Sequence, residues 1–383
     1  MITKFSSLFA GHIDLGEMGE DTAPVDERVY SNEELASVFT KSEAIARCMD
    51  KLGFHTLWFA EHHFQREGYE CIPNILMLAV HLAHLTENLR FGCGFNVSPM
   101  WHPLRLAEDF AMADILTKGR VTFGVGRGYH TREVETFGAP MLDQDANREL
   151  FEEQLDVMFK AFHQDAFSHH GKHYTLPAQV PYRGYELQDM TLVPRPINTP
   201  VECWQPIVSS SPRGLDFMVK HGIKGIIGGG AALMTEGPIQ AFQDAHARAG
   251  IETQLGENLC LGISFHLAPT KEQAIAEAKP YYEEHVKLFG PLGFLGKLSN
   301  EQFAAIGQRG GVTRAGMPTL EDLCASGAWY CGPPEGMIES LHGVSERYPG
   351  LDFATAQSAI GTPETVIVEQ LEQLAADVMP AFR

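Results

Sequence analysis

Eight short β-rich runs alternate with eight helical patterns, and that alternation restricts the fold more than any single motif does. The strand candidates are Lys4–Ala10, Thr56–Glu61, Arg90–Val97, Val121–Gly126, Gln205–Ser209, Lys224–Gly228, Cys260–Leu267 and Asp352–Ala359. In Glu33–Leu52, residues Leu35, Val38, Phe39, Ile45, Met49 and Leu52 keep largely to one helical stripe, and Gly53 supplies the stop. Helical patterns recur near Pro73–Thr86, Pro103–Thr117, Gln144–Phe162, Pro212–Lys220, Pro238–Ala249, Lys271–Leu288 and Pro363–Val378. Several open with proline, whose missing N–H costs nothing in a first helical turn. Eight βα units in order predict an α/β fold, a (β/α)8 TIM barrel. A doubly wound sheet divided between two domains is the competing arrangement. The chain 1–383 reads as one barrel domain with insertion segments at about 165–200, before strand five, and about 290–350, before strand eight.

The formal net charge of −20 excludes nucleic acid as a natural partner, since phosphates demand a basic face, and disfavours anionic membranes. The seven cysteines are scattered without a C-x-x-C pair, which fits reduced thiols in a cytoplasm rather than a disulfide framework or structural zinc. The opening MITKFSSLFAGHIDLGE has an apolar stretch too short for a secretion signal, and no uncharged apolar run approaches the length of a membrane span. A cytoplasmic location is the expectation.

In such a barrel the chemistry sits where strands end. The second strand ends in Glu61-His62-His63-Phe64, the third leads into Asn96–Pro103, the fourth into Gly126–His130, and the fifth into Ser209–Gly214. These motifs are far apart in sequence and converge on one face. A lone histidine is most often a satisfied core residue, but an acid and two imidazoles at a strand's catalytic end favour a site. Successive strand residues face opposite ways, so at most one of His62 and His63 reaches the barrel mouth, and a metal would need ligands from elsewhere; none is expected. The G-x-G-x-G spacing of Gly124, Gly126 and Gly128 is not a dinucleotide fingerprint, but it leaves backbone open to a flat ligand, with Arg127 beside it. Ser211 before Pro212 marks a capped helix start, whose free N–H groups suit phosphate, and Arg127 with Arg213 strengthens that reading.

Taken in order, "GFHTLWFAEHHF", "VSPMWHPLRLAEDFAMADILTKGRVTFGVGRG", "PIVSSSPRGLDF" and "ADVMPAF" resemble the bacterial luciferase-like flavin monooxygenases. The match is weakest across 165–200 and 290–350. The resemblance implies a barrel that binds reduced FMN, activates O2 at the flavin C4a and oxygenates a small organic substrate. It makes His62 the active-site histidine, places Gly94 and Phe95 under the isoalloxazine, often joined there by a cis peptide, and assigns Arg127, Ser210, Ser211 and Arg213 to the phosphate. Gly126 stands where luciferase has a cysteine and Ser210 where it has an acid, so oxygenation rather than light emission is expected. The chain has no nicotinamide fingerprint of its own. The expectation is therefore the oxygenase component of a two-component system, fed by a separate flavin reductase and dimerising through helices near strands two and three. Alternatives are an F420-dependent oxidoreductase of the same superfamily and a non-catalytic flavin-binding protein.

Overall fold

The computed structural model describes residues 1–228, 236–294, 298–306, 308, 312 and 315–382. Eight parallel strands close on themselves: β1 Lys4–Phe9, β2 Thr56–Phe59, β3 Arg90–Cys93, β4 Val121–Gly126, β5 Cys203–Pro206, β6 Lys224–Ile227, β7 Leu259–Leu267 and β8 Phe353–Gln357. Closure comes from β4 against β5, with Cys203 opposite Phe123, and from β8 against β1, with Phe353 opposite Lys4. The fold is the expected (β/α)8 barrel.

Alternation along each strand divides the apolar residues between two cores. On β2, Leu57 and Phe59 join the large core beneath the helices, whereas Trp58 turns into the barrel with Trp204, Ile226, Cys260 and Phe353. Trp204 stacks on Phe353 at 5.6 Å, and Trp58 meets both edge-on. Gly92 faces this cluster, and a Cβ there would lie 2.0 Å from the Trp58 indole, so only glycine lets that ring fill the interior.

Two strands differ from expectation. The run Arg90–Val97 is broken at a cis Gly94–Phe95 peptide, so β3 ends at Cys93 and Asn96–Val97 resumes pairing with β4 as a separate short strand. The fifth strand lies at Cys203–Pro206 rather than Gln205–Ser209. Apart from the Ile207 N–H, which still reaches Ile226 O at 2.9 Å, the chain beyond Pro206 leaves the sheet toward the helix Pro212–Lys220.

The 165–200 segment carries two small hairpins, His169–His170 with Thr175–Leu176 and Pro181–Tyr182 with Tyr185–Glu186. Within 290–350, residues 295–297, 307, 309–311 and 313–314 lie outside the described residues. The remainder includes the helix Leu320–Ser326, the strand Tyr330–Gly332 parallel to the end of β7, and the helix Pro334–Arg347, which buries Met337, Leu341 and Val344. Among the described residues no helix is long and apolar enough to cross a membrane.

Candidate active site

Strand β2 stops at Phe59, so Glu61, His62 and His63 occupy the loop beyond it. Glu61 is fastened first: one carboxylate oxygen accepts from Val97 N–H at 2.7 Å and the other from Trp101 Nε1 at 2.8 Å. That fixes the turn and sends the two histidines apart. His63 lies 3.3 Å from Glu61 through Nε2 and packs against Phe137. His62 is buried and enters a network that sequence reading did not anticipate.

His62 Nδ1 donates to Glu133 Oε2 at 3.1 Å, and its Nε2 is 2.8 Å from the Tyr129 hydroxyl. Tyr129 in turn donates to Glu70 Oε1 at 2.8 Å. Donor counting fixes the protons. If Tyr129 gives its only proton to Glu70, the Tyr129 oxygen must accept from His62 Nε2, so His62 carries protons on both nitrogens. The charges agree. Burial pulls His62 down, but Glu70 and Glu133 outweigh it and its pKa is raised above the ordinary 6.5. Burial likewise opposes ionisation of Glu70, yet His62 and His130 hold it down at about 2. Glu133 is also lowered, and burial with the neighbouring carboxylates pushes Tyr129 well up. The remaining carboxylate lone pairs are taken by His130 Nε2 on Glu70 at 3.0 Å, by Gln65 Nε2 on both acids, and by His63 N–H on Glu133 at 3.0 Å.

Ligand atoms of His62, Glu70 and His130 all lie within 4.8 Å of one another, a spacing that would admit a cation.

The loop bearing Glu70 is held by a second buried group. Tyr69 donates to Glu284 Oε2 at 2.6 Å, and Arg28 and Lys287 share the same carboxylate at 2.6 and 2.9 Å. Glu284 lies on the helix Lys271–Phe289 beside His285, whose pKa burial lowers to about 4 against the pull of Glu70. Phe294 meets Tyr129 at 5.0 Å, and His285 contacts Phe289 and Trp329, so aromatic rings wall the cluster on that side.

The expected phosphate residues gather at the end of β4 and the start of the helix Pro212–Lys220. Arg127 donates to Asn147 at 3.1 Å and follows β4 directly. Gly128 after it has φ +83°, and a Cβ there would strike Val134 at 2.5 Å, so the turn that leads on to Tyr129 requires glycine. Burial and the nearby Arg148 lower the pKa of Arg127, the signature of cations crowded together with too little counter-charge. Arg213 bonds Glu152 at 2.7 Å, and Arg148 lies beside Gly214. Ser211 caps this helix without a side-chain bond, leaving its hydroxyl and the first-turn N–H groups free for an anion, and Ser210 is exposed beside it. Arg148 was missed from sequence because it lies inside a helix without a motif. Gly94 and Phe95 form the cis bond at the end of β3; Phe95 packs beside Trp58 and Trp204, and a Cβ on Gly126 would come 3.3 Å from Phe95. These residues fit a flat ring with a phosphate tail. A cavity of about 530 Å³ opens at the opposite barrel end, where Lys4 pairs with Asp352 and Lys224 with Glu202.

The luciferase-like monooxygenase model matches residues 22–378, and the chain belongs to that family. It is 26% identical over 197 residues to the oxygenase component of a flavin-dependent trigonelline monooxygenase from Acinetobacter baylyi, covering 51% of this chain and 50% of that protein. The chain thus matches at most half the length of the first curated relatives. Among solved structures, the oxygenating constituent of 3,6-diketocamphane monooxygenase from Pseudomonas putida, in complex with FMN, aligns with a TM-score of 0.74 at 18% identity, covering 99% of each chain. An F420-dependent secondary alcohol dehydrogenase aligns at 0.67 and 15% identity over all of both chains. At these identities the structural matches speak for the fold alone.

Removing one partner of the buried ion group should be costly. Glu133→Ala leaves the buried Nδ1–H of His62 without its charged acceptor and is expected to lower unfolding free energy by about 3–5 kcal/mol at pH 7. The pH dependence has a definite sign. The charge of His62 stabilises fully below its ordinary 6.5 and is lost as pH rises through its raised folded value; that of Glu70 stabilises above its ordinary 4.5 and is lost as pH falls toward 2. Urea denaturation from pH 6 to 9 should therefore show a declining wild-type stability that flattens in Glu133→Ala. A variant matching wild type at every pH would dissolve the network.

Proposed function

We propose that this chain is the oxygenase component of a two-component flavin monooxygenase, taking reduced FMN from a separate reductase and using O2 to oxygenate a small organic substrate. The observation that carries this reading is a buried His62, bonded to Glu133 and Tyr129, at the same strand-end face of the barrel as the arginines around Arg127. Reduced FMN, when bound, supplies the electrons that activate O2.

The chain's own residues do the rest. Arg127, Arg148 and Arg213, with Ser210 and Ser211 at the helix start, hold the phosphate; Gly94, Phe95 and Gly126 receive the ring. His62 holds a proton at Nε2 toward the Tyr129 hydroxyl, which Glu70 orients, so the imidazole is placed to give up a proton and Tyr129 to position it. The cluster is buried, with Phe294 against Tyr129, and burial strengthens each of these charges. A flavin carrier has no use for a buried proton relay. The F420 reading draws support from the shared fold, and anaerobic titration separates it: reduced FMN should bind more tightly than reduced F420, and the reverse order would favour hydride transfer.

A homodimer is proposed through the helices Ile75–Ala83 and Pro103–Leu116, which pack together and expose Met77, Met112, Ile115 and Leu116. Met77→Lys combined with Met112→Lys should run as a monomer in light scattering; an unchanged dimer would place the interface elsewhere.

Arg127→Ala should weaken reduced FMN by roughly 10- to 100-fold (about 1.5–3 kcal/mol) while leaving reduced riboflavin nearly unaffected, because only FMN offers a dianion. Equal losses would remove Arg127 from the phosphate. His62→Ala should still bind FMN yet lose substrate-coupled oxygen consumption by roughly 10²–10⁴-fold. Unchanged coupled turnover would make the imidazole structural.

A further inference from the structure

The site described above uses no thiol, yet two of the seven cysteines share one apolar cluster. Cys324 lies in the last turn of the helix Leu320–Ser326, and Cys331 in the short strand Tyr330–Gly332. Gly327, at φ +74°, ends the helix, and Leu323 O accepts from both Ala328 N–H and Trp329 N–H, at 2.8 and 3.2 Å. That tight reversal brings Cys331 back to the cluster against which Cys324 packs. Both sulfurs sit in one apolar cluster with Leu320, Tyr282 and Trp329. Cys331 is buried and clamped by strand pairing opposite His266 on β7; Cys324 is half-buried and within reach of small solutes.

We propose that Cys324 and Cys331 form a peroxide-oxidisable dithiol whose disulfide would close the turn around Trp329 and fix that wall of the site. The chemistry balances with a hydroperoxide as the oxidant. The Cys324 thiol and hydrogen peroxide give a Cys324 sulfenic acid and water. The Cys331 sulfur then attacks the Cys324 sulfur, the S–S bond forms, and the hydroxyl leaves with the Cys331 proton as a second water. Two electrons pass from the two sulfurs to the peroxide.

The order of attack follows from the surroundings. The neighbouring Cys331 and the Lys271 ammonium lower the pKa of Cys324, favouring its thiolate, the attacking form. Burial pushes Cys48 up to about 11, and Cys71 and Cys93 to about 12, so those thiols are poor competitors. The consequence reaches the site directly. Trp329 lies inside the loop that the bond would close, and its indole meets the His285 ring at 5.7 Å. Disulfide formation needs only added peroxide, so it stands or falls apart from the oxygenase reading.

The test uses the full-length reduced protein, treated with hydrogen peroxide, quenched with N-ethylmaleimide and digested without reductant. The expected product is a linked Cys324–Cys331 peptide, two hydrogens lighter than its thiol form and abolished by dithiothreitol. Cys331→Ser should leave Cys324 as a sulfenic acid captured by dimedone, whereas Cys324→Ser should leave Cys331 alkylated as a free thiol. Oxidation should also slow amide exchange across Ala325–Tyr330 by roughly tenfold. Two results would overturn the proposal: both thiols alkylated at a peroxide dose that already oxidises Cys48, or Cys324 converted to its sulfinic acid in the wild type without a linked peptide.

Discussion

A buried imidazolium between two buried carboxylates is the constraint on which the rest of the site depends. An ion taken out of water costs several kcal/mol unless countercharges and hydrogen bonds stand in for the solvent. Here Glu133 and Tyr129 accept from both nitrogens of His62, and Glu70 adds a second countercharge that Tyr129 bridges. The four groups come from three segments: the loop after β2, the same loop eight residues on, and the loop after β4. None of these segments can move alone without exposing an unpaired charge. The network therefore acts as a latch that holds two barrel loops in register.

The latch is anchored from outside. Tyr69, adjacent to Glu70, passes the constraint through Glu284 to the helix Lys271–Phe289, and Arg28 and Lys287 neutralise that carboxylate. Helix and loop are thus joined by a second ion group before any ligand enters. The end around Arg127 has the opposite character. Arg127 and Arg148 repel one another, and Glu152 compensates only in part, so that end is left wanting an anion. One end of the site is electrostatically complete, and the other is completed by what binds there.

The barrel was legible because strand and helix periodicities are local. Register at β5 was not, since Pro206 looks from sequence like a strand interior although the chain leaves the sheet just beyond it. His62, Arg127 and the Ser210–Arg213 turn were visible through position at strand ends. Glu70, Tyr129, Glu133 and Arg148 were not. A carboxylate 71 residues from His62 looks like any solvated acid until the fold buries it. The segment Gly128–Glu133 held the one usable signal, a tyrosine, a histidine and an acid following a glycine turn at a catalytic strand end. Alternation was also applied one step too far. His62 and His63 diverge, but Glu61 hydrogen bonds beyond the strand direct them rather than the pleat.

The central claim is that His62 carries a proton on both ring nitrogens at neutral pH, and imidazole nitrogen NMR reads this directly. Protein labelled with ¹⁵N-histidine, with His62 assigned by its loss in His62→Gln, should show both nitrogens at imidazolium shifts at pH 7, moving to neutral values only at clearly higher pH. In Glu70→Gln that transition should fall toward ordinary histidine. A neutral single-tautomer His62 at pH 7 in the wild type would contradict the charge balance on which this account of the site is built.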